Sequence, residues 1–435
     1  MGRGLRPGAD RGVNMPVFGL IDGNSFYCSC QRAFDASIRN SPVVVLSNND
    51  GCAIARTAEA KQLGIKMGEP WHLARRRPAL QGVRWYSSNY PLYADMSRRM
   101  FQVLEYRVPR VEPYSIDEMF LDLTALPYDL ATFCADLRRD VLEISKIPTC
   151  IGWGPTKTIA KVANRIAKAD PALQGLCDLN DTALRHDWYR RTDIEDVWGI
   201  GRKGAERLRR AGIHTIADFV EMDTRAVRNL LTVVGARVQA ELQGQSCLPL
   251  ADLAAPRQGL ACTRTFGRPI DNWSDLREAV ASYATTAAAK LRRDRLHAGS
   301  ISVFIRTNPR TSTEAGWYAN QQSISIEPTN DTMALIAASL RLLRKIWKPG
   351  YRYFKAGVIL DALAPAARQG ALFSTRDPQR AESVMATMDA LNARFGRGTV
   401  RPLATGTRQD WRPRQAFLSP AYTTRFEDIM QVHAW

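Results

Sequence analysis

The sequence predicts an α+β chain of several domains, and three observations carry that prediction. Short apolar strands alternate with helical stretches up to about residue 185. Residues 186–245 read as helix, with charged clusters and no strand. Residues 260–363 then spell strand, helix, strand, strand, helix, strand, the ferredoxin-like β-α-β-β-α-β order. A chain of 435 residues also exceeds what one hydrophobic core usually serves.

The elements follow in order. Residues 1–14, MGRGLRPGADRGVN, are Gly- and Arg-rich without an apolar pattern, and a disordered extension is expected there. VFGLI (17–21) reads as a buried strand running into Asp22, Gly23 and Asn24, and PVVVLS (42–47) as a second buried strand. AIARTAEAKQL (53–63) has helical composition. RVEPYSIDEMFLDLT (110–124) reads as strand, tight connection, strand. TCIGWG (149–154) is a further strand, leading into a helix that begins near Pro155. Residues 15–185 are therefore expected to form one α/β unit, 186–245 a helical domain, and 246–259 a linker. The β-α-β-β-α-β domain spans 260–363, and basic residues at its helix ends (290–295 and 341–348) suit phosphate contacts. A tail over 364–435 carries a helix near 380–394.

Sixty Lys and Arg stand against 43 Asp and Glu, a net charge of +17, which favours a polyanionic partner such as nucleic acid. The eight cysteines form no CxxC pair, so zinc and redox motifs lack support, and reduced thiols of a cytoplasmic protein are expected. No apolar run is long enough to span a bilayer.

Against that positive background, SIDEMF (115–120) sets Asp117 and Glu118 side by side. An Asp-Glu pair is ordinarily a solvated turn. Adjacent residues of a regular strand also point to opposite faces, so both acids could serve one ligand only at a bend or strand end. Asp22 ends an earlier strand, where parallel-type sheets present functional groups. Three carboxylates on one sheet edge repel unless a cation binds, and oxygen ligands without His or Cys suit Mg²⁺. Lys157 and Lys161 share a helix face four residues apart. Gly152 and Gly154 would let the preceding loop pass close to a ligand, and the helix N-terminus favours an anion. Arg56 and Lys61 are further candidate phosphate ligands; for all four cations the ordinary reading is a solvated surface. WGIGRKGAERLRRAG (198–212) reads as a helix-hairpin-helix, with Gly199 and Gly201 offering backbone N–H groups to a DNA phosphate and Arg202 and Lys203 adding charge.

These stretches together resemble the Y-family translesion DNA polymerases, in their UmuC-like branch. IDGNSFY, VVVLSNNDGCAIARTAEAKQLGIKMGEPW, SSNYPLYADMS, YSIDEMFLDLT, GWGPTKTIAKVAN and DVWGIGR occur in family order, and the likeness runs from Met15 to the C-terminus. The resemblance implies a right-hand polymerase. Its palm would span 15–185 with fingers inserted at about 35–85, its thumb would be the helical domain, and its little finger the β-α-β-β-α-β domain. It implies error-prone, DNA-directed translesion synthesis in the SOS response to DNA damage, adding dNTPs to a primer by a two-metal mechanism with two Mg²⁺. Asp22, Asp117 and Glu118 would be the metal ligands, with the Gly23 carbonyl. Tyr27 would be the steric gate against a ribose 2′-hydroxyl, and Lys161 the triphosphate lysine; Lys61 stands where most relatives carry arginine. After the gate, relatives commonly have Ala-Ser-Cys-Glu, whereas this chain has Cys28, Ser29, Cys30 and Gln31. QGALF (369–373) resembles a sliding-clamp peptide anchored by Gln369, Leu372 and Phe373. Primer-template DNA, a processed UmuD dimer and a RecA filament are the other implied partners. The rival reading is a non-catalytic DNA-binding scaffold that recruits other polymerases; the intact acids argue against it.

Overall fold

The computed structural model describes residues 16–251, 257–310, 316–365 and 377–429. The expected extension at 1–14 and the clamp anchors Gln369, Leu372 and Phe373 lie outside them. The chain divides into two compact units. One comprises 1–46, 52–254 and 417–435; the other comprises 47–51 and 255–416.

The strands of the first unit are β1 (Phe18–Gly23), β2 (Val43–Leu46), β3 (Ala53–Arg56), β4 (Arg84–Ser87), β5 (Val111–Pro113), β6 (Glu118–Asp122), β7 (Thr149–Gly154) and β8 (Leu176–Asp178). Five of them form one sheet in the order β5-β6-β1-β7-β8. Strand alternation gives this sheet two apolar faces. Ile21, Met119, Leu121 and Ile151 pack in one core with Leu92, Tyr93 and Met96 of the Tyr90–Arg107 helix and Leu137 and Val141 of the Leu130–Ser145 helix. Leu20 and Phe120 meet Ala160 of the Lys157–Ala169 helix on the other side.

A second sheet, β3-β2-β4, lies within the span expected for the fingers and has its own core of Val44, Leu46, Ala60, Ile65, Trp71 and Leu80. Here the 53–63 helix expectation is corrected. Ala53–Arg56 is strand, and only Ala58–Gln62 is helix, because Thr57 caps it by accepting from the Ala60 N–H. The β-branched and small apolar residues before that cap pair with β2 instead. Residues 186–245 are helical as expected, with helices Thr182–Arg191, Arg202–Arg210, Ile216–Glu221 and Thr224–Leu242 around Leu208, Phe219, Val227 and Leu242.

In the second unit β9 (Gly259–Ile270), β10 (Leu296–Thr307), β11 (Ala319–Thr329) and β12 (Tyr353–Pro365) form an antiparallel sheet, β11-β10-β12-β9. The last strand inserts between the first and second, which splits a β-α-β unit. The Trp273–Arg293 and Thr332–Ile346 helices share its core. Not every basic residue at the helix ends is available for phosphate. Arg292 is largely buried and makes a two-pronged pair with Asp389 of the Pro378–Phe395 helix, at 2.6 and 2.8 Å. Among the described residues no helix is long and apolar enough to cross a membrane.

Candidate active site

The register of β1 against β6 places Asp22 directly opposite Glu118. Both point to the face of Leu20 and Phe120, toward the Lys157–Ala169 helix, because they lie two residues from those buried neighbours. The strands around β1 are antiparallel, so the expectation drawn from parallel-type sheets is corrected: cross-strand pairing, not a parallel strand's end, brings the acids together. Asp117 precedes the first residue of β6 and sits in a bend. Ser115 shapes that bend. Its hydroxyl donates to Asp117 Oδ1 at 2.7 Å and accepts the backbone N–H groups of Asp117 and Glu118. The Gly23 N–H donates to the Asp117 carbonyl at 2.9 Å, tying the end of β1 to the bend. Adjacent acids can thus serve one place because the pleat ends between them.

Three lysines at positions 157, 161 and 168 form one stripe along the facing helix, and each is matched to an acid. Lys168, not singled out in the sequence, pairs with Asp22. Lys161 pairs with Glu118 at 2.6 Å, and its ammonium lies 4.3 Å from the Tyr114 ring and 5.5 Å from that of Trp198. Lys157 is only 4% exposed. It pairs with Glu112 and lies 4.9 Å from the Phe120 ring, so as folded it is a buried ion pair and not a solvated surface cation. Helix spacing gave the shared face but not which member was covered.

The helix N-terminus is corrected as well. The buried Glu241 carboxylate accepts the Thr158 N–H, and the N–H groups of Cys247 and Leu248. An anion of the chain itself fills that position. Gly152 serves packing, since a Cβ there would lie 2.0 Å from the Asn164 backbone nitrogen; at Gly154 it would lie 2.4 Å from Ile159. The Asn164 amide donates to the Leu20 and Cys150 carbonyls at 3.0 and 2.8 Å, fastening the helix to β1 and β7.

Asp22 is largely buried. Burial pushes its carboxyl up to about 6; Lys168 opposes that rise, and Asp117 and Glu118 add to it. Among the described residues no three His, Cys, Asp or Glu side chains are gathered closely enough to hold a metal ion as they stand. The three acids instead bond Lys168, Ser115 and Lys161. Side chains that offer only oxygen around a buried carboxylate suit a hard divalent cation rather than a soft one.

Tyr27 lies beside the acids. Its hydroxyl is held above its ordinary pKa first by burial, then by Tyr90 and Asp117. Its ring stacks on Tyr93, with centroids 4.4 Å apart and planes 20° apart, and meets Tyr90 edge-on at 6.0 Å. Arg56 donates to the Ile65 carbonyl at 2.8 Å, while Lys61 is exposed. In the hairpin, Gly199 has φ +93°, a conformation that favours glycine, and Gly201 caps the Arg202–Arg210 helix. Arg202 and Lys203 are exposed at its start. Trp198 of the same hairpin donates to the Tyr114 hydroxyl at 3.0 Å, which links the hairpin to the Lys161 environment.

Residues 21–165 match the impB/mucB/samB family, 257–372 match its C-terminal domain, and 382–432 match a domain of unknown function, DUF4113. The chain is 41% identical to Protein UmuC of Salmonella typhimurium over 96% of its length and 100% of that protein. It is 27% identical to DNA polymerase IV of Bacillus velezensis over 88% of its length and 91% of that protein. Among solved structures it resembles a Y-family DNA polymerase chimera of Dbh and Dpo4, with TM-score 0.64 and 19% identity, covering 80% of this chain and 99% of that one. The chain belongs to the impB/mucB/samB family, as a relative of Protein UmuC, and has the fold of the Y-family DNA polymerase chimera it resembles.

Proposed function

We propose that this chain carries out error-prone translesion synthesis, extending a primer past template damage in the SOS response. The pairing of Asp22 with Glu118 across β1 and β6, with Asp117 brought alongside by the Ser115 bend, carries the reading. Asp22, Asp117 and Glu118, with the Gly23 carbonyl, would hold two Mg²⁺ ions, which when bound supply activation of the primer 3′-hydroxyl and neutralisation of the leaving pyrophosphate. Lys161 and Lys168 would exchange their carboxylate partners for the nucleotide's phosphates, with Arg56 and Lys61 contributing from the fingers. Gly199, Gly201, Arg202 and Lys203 would hold a DNA phosphate at the thumb. The palm would span 15–185, with fingers at about 35–85, the thumb 186–245 and the little finger 260–363.

The reading includes a processed UmuD dimer, to which 41% identity to Protein UmuC along that protein's whole length points, with a RecA filament and a sliding clamp as further proposed partners. Gln369, Leu372 and Phe373 would anchor the clamp. A cytoplasmic location suits the eight free cysteines, six of them buried.

The test is primer extension with Mg²⁺ across a template lesion, with and without activated UmuD and RecA. Synthesis past the lesion is expected. DNA binding without incorporation under every partner condition would favour the scaffold reading. The gate has its own test. Tyr27→Ala should raise ribonucleotide relative to deoxyribonucleotide incorporation by about tenfold to a hundredfold, the range over which a pocket discriminates by size. Unchanged discrimination would place the gate elsewhere.

A further inference from the structure

Gln31 lies one helical turn beyond Tyr27 on the Phe26–Arg32 helix, so the two side chains share a face. Both meet the same partner. Tyr27 stacks on the Tyr93 ring, and the Gln31 amide donates to the Tyr93 hydroxyl at 2.9 Å. Gln31 is 2% exposed and Tyr93 fully buried, so neither side chain can replace that bond with water. Tyr27 is half-buried. An aromatic ring on a partly open site takes its tilt from the surface it rests on. Here the stacked face rests on the Tyr93 ring, with Tyr90 meeting Tyr27 edge-on, and Tyr93 is held at its backbone by the Tyr90–Arg107 helix and at its hydroxyl end by Gln31.

We infer that Gln31 is a positioning residue for sugar discrimination: by fixing Tyr93 it fixes the plane that Tyr27 presents to the incoming nucleotide's ribose. This rests on the reading of Tyr27 as the gate. Gln31 touches neither nucleotide nor acids and acts through two rings. In the bond present Gln31 donates and the Tyr93 hydroxyl accepts. A carboxylate there could only accept, from the Tyr93 O–H, and its charge would be buried at a cost.

The experiment measures kcat and KM for matched ribo- and deoxyribonucleotides in the complete chain, for wild type, Gln31→Leu, Tyr93→Phe, Tyr27→Ala and the Gln31→Leu/Tyr27→Ala double variant. Gln31→Leu should shift the ribo-to-deoxy ratio of kcat/KM toward ribonucleotides by about fivefold, the factor one buried hydrogen bond is worth. The change should lie in the ribonucleotide KM. Tyr93→Phe removes the same bond while keeping the stacked ring, should give the same shift, and stands in if Gln31→Leu does not fold. In the Tyr27→Ala background the Gln31 substitution should add nothing further, because the ring it positions is gone. Wild-type discrimination in both Gln31→Leu and Tyr93→Phe, with discrimination lost in Tyr27→Ala, overturns the positioning role and leaves the gate standing. An equal further shift in the double variant also overturns it. Unchanged discrimination in Tyr27→Ala removes the gate reading itself and the inference with it.

Discussion

Asp22→Asn is expected to lose metal-dependent nucleotide incorporation while gaining heat stability in metal-free buffer at pH 7. Substitutions that only touch a ligand's supporting partners cost about 10- to 100-fold, so removing a ligand oxygen's charge should cost more than about 100-fold. The stability gain follows from the same burial. The carboxyl's ordinary value is 3.8, and in the fold it rises to about 6 because burial outweighs the attraction of Lys168. An acid with a raised folded pKa binds its proton more tightly in the native state than in the unfolded one. Its favourable contribution is therefore complete below pH 3.8, is lost as the pH rises toward about 6, and stays lost above that. Asparagine keeps the shape and removes the charge. Lys168 loses its partner but is about one-third exposed and can turn to water. The gain has a ceiling on the order of 3 kcal/mol. Thermal unfolding of both proteins with chelator, from pH 4 to 7, checks it. The wild-type decline across that window should shrink in the variant. A variant as active as wild type, or less stable at pH 7, would contradict this account of Asp22.

Gly152→Ala is expected to be the most damaging small substitution in the catalytic sheet. The added carbon would lie 2.0 Å from the Asn164 nitrogen and 2.4 Å from the Ala163 carbonyl carbon, both backbone atoms. Neither can swing aside as a side chain would. The helix cannot back away either, because that would stretch both Asn164 amide bonds to the Leu20 and Cys150 carbonyls. A loss of more than about 3 kcal/mol is expected, at or beyond the upper end for overpacking. Incorporation should fall as well, since the displaced helix carries Lys161 and Lys168. Gly201→Ala is the control. Nothing lies within 4 Å of its added carbon and its φ is −81°, so the loss should stay at about 1 kcal/mol or less, the cost of a weaker N-cap. Equal losses in the two variants, by thermal unfolding, would show that close helix–sheet contact is not what Gly152 provides.

The contrast between these glycines shows which parts of the site were legible in the sequence. Strand alternation, the order of elements in residues 260–363, and the need for a bend at Asp117 follow from local rules, and the structure shows each of them. Long-range partners follow no local rule. Glu241 covers the N-terminus of a helix whose Thr158 lies 83 residues earlier, and nothing near either residue announces it. The i,i+4 rule paired Lys157 with Lys161 but could not show that Glu112 buries the first. It also passed over Lys168, two helical turns beyond Lys161, where extending the same stripe would have found it. Gln31 registered only as the loss of a carboxylate. Its hydrogen bond to Tyr93 spans 62 residues and becomes visible only when the Tyr90–Arg107 helix packs beside its own.

The most direct test of the central claim is primer extension across a lesion by the complete chain with Mg²⁺, comparing wild type with Asp117→Asn. The substitution changes one oxygen for a nitrogen at a half-buried bend and leaves the sheet's core untouched. With DNA affinity and folding preserved, the account predicts extension by wild type and essentially none by the variant. A folded Asp117→Asn chain that extends primers as fast as wild type would contradict it.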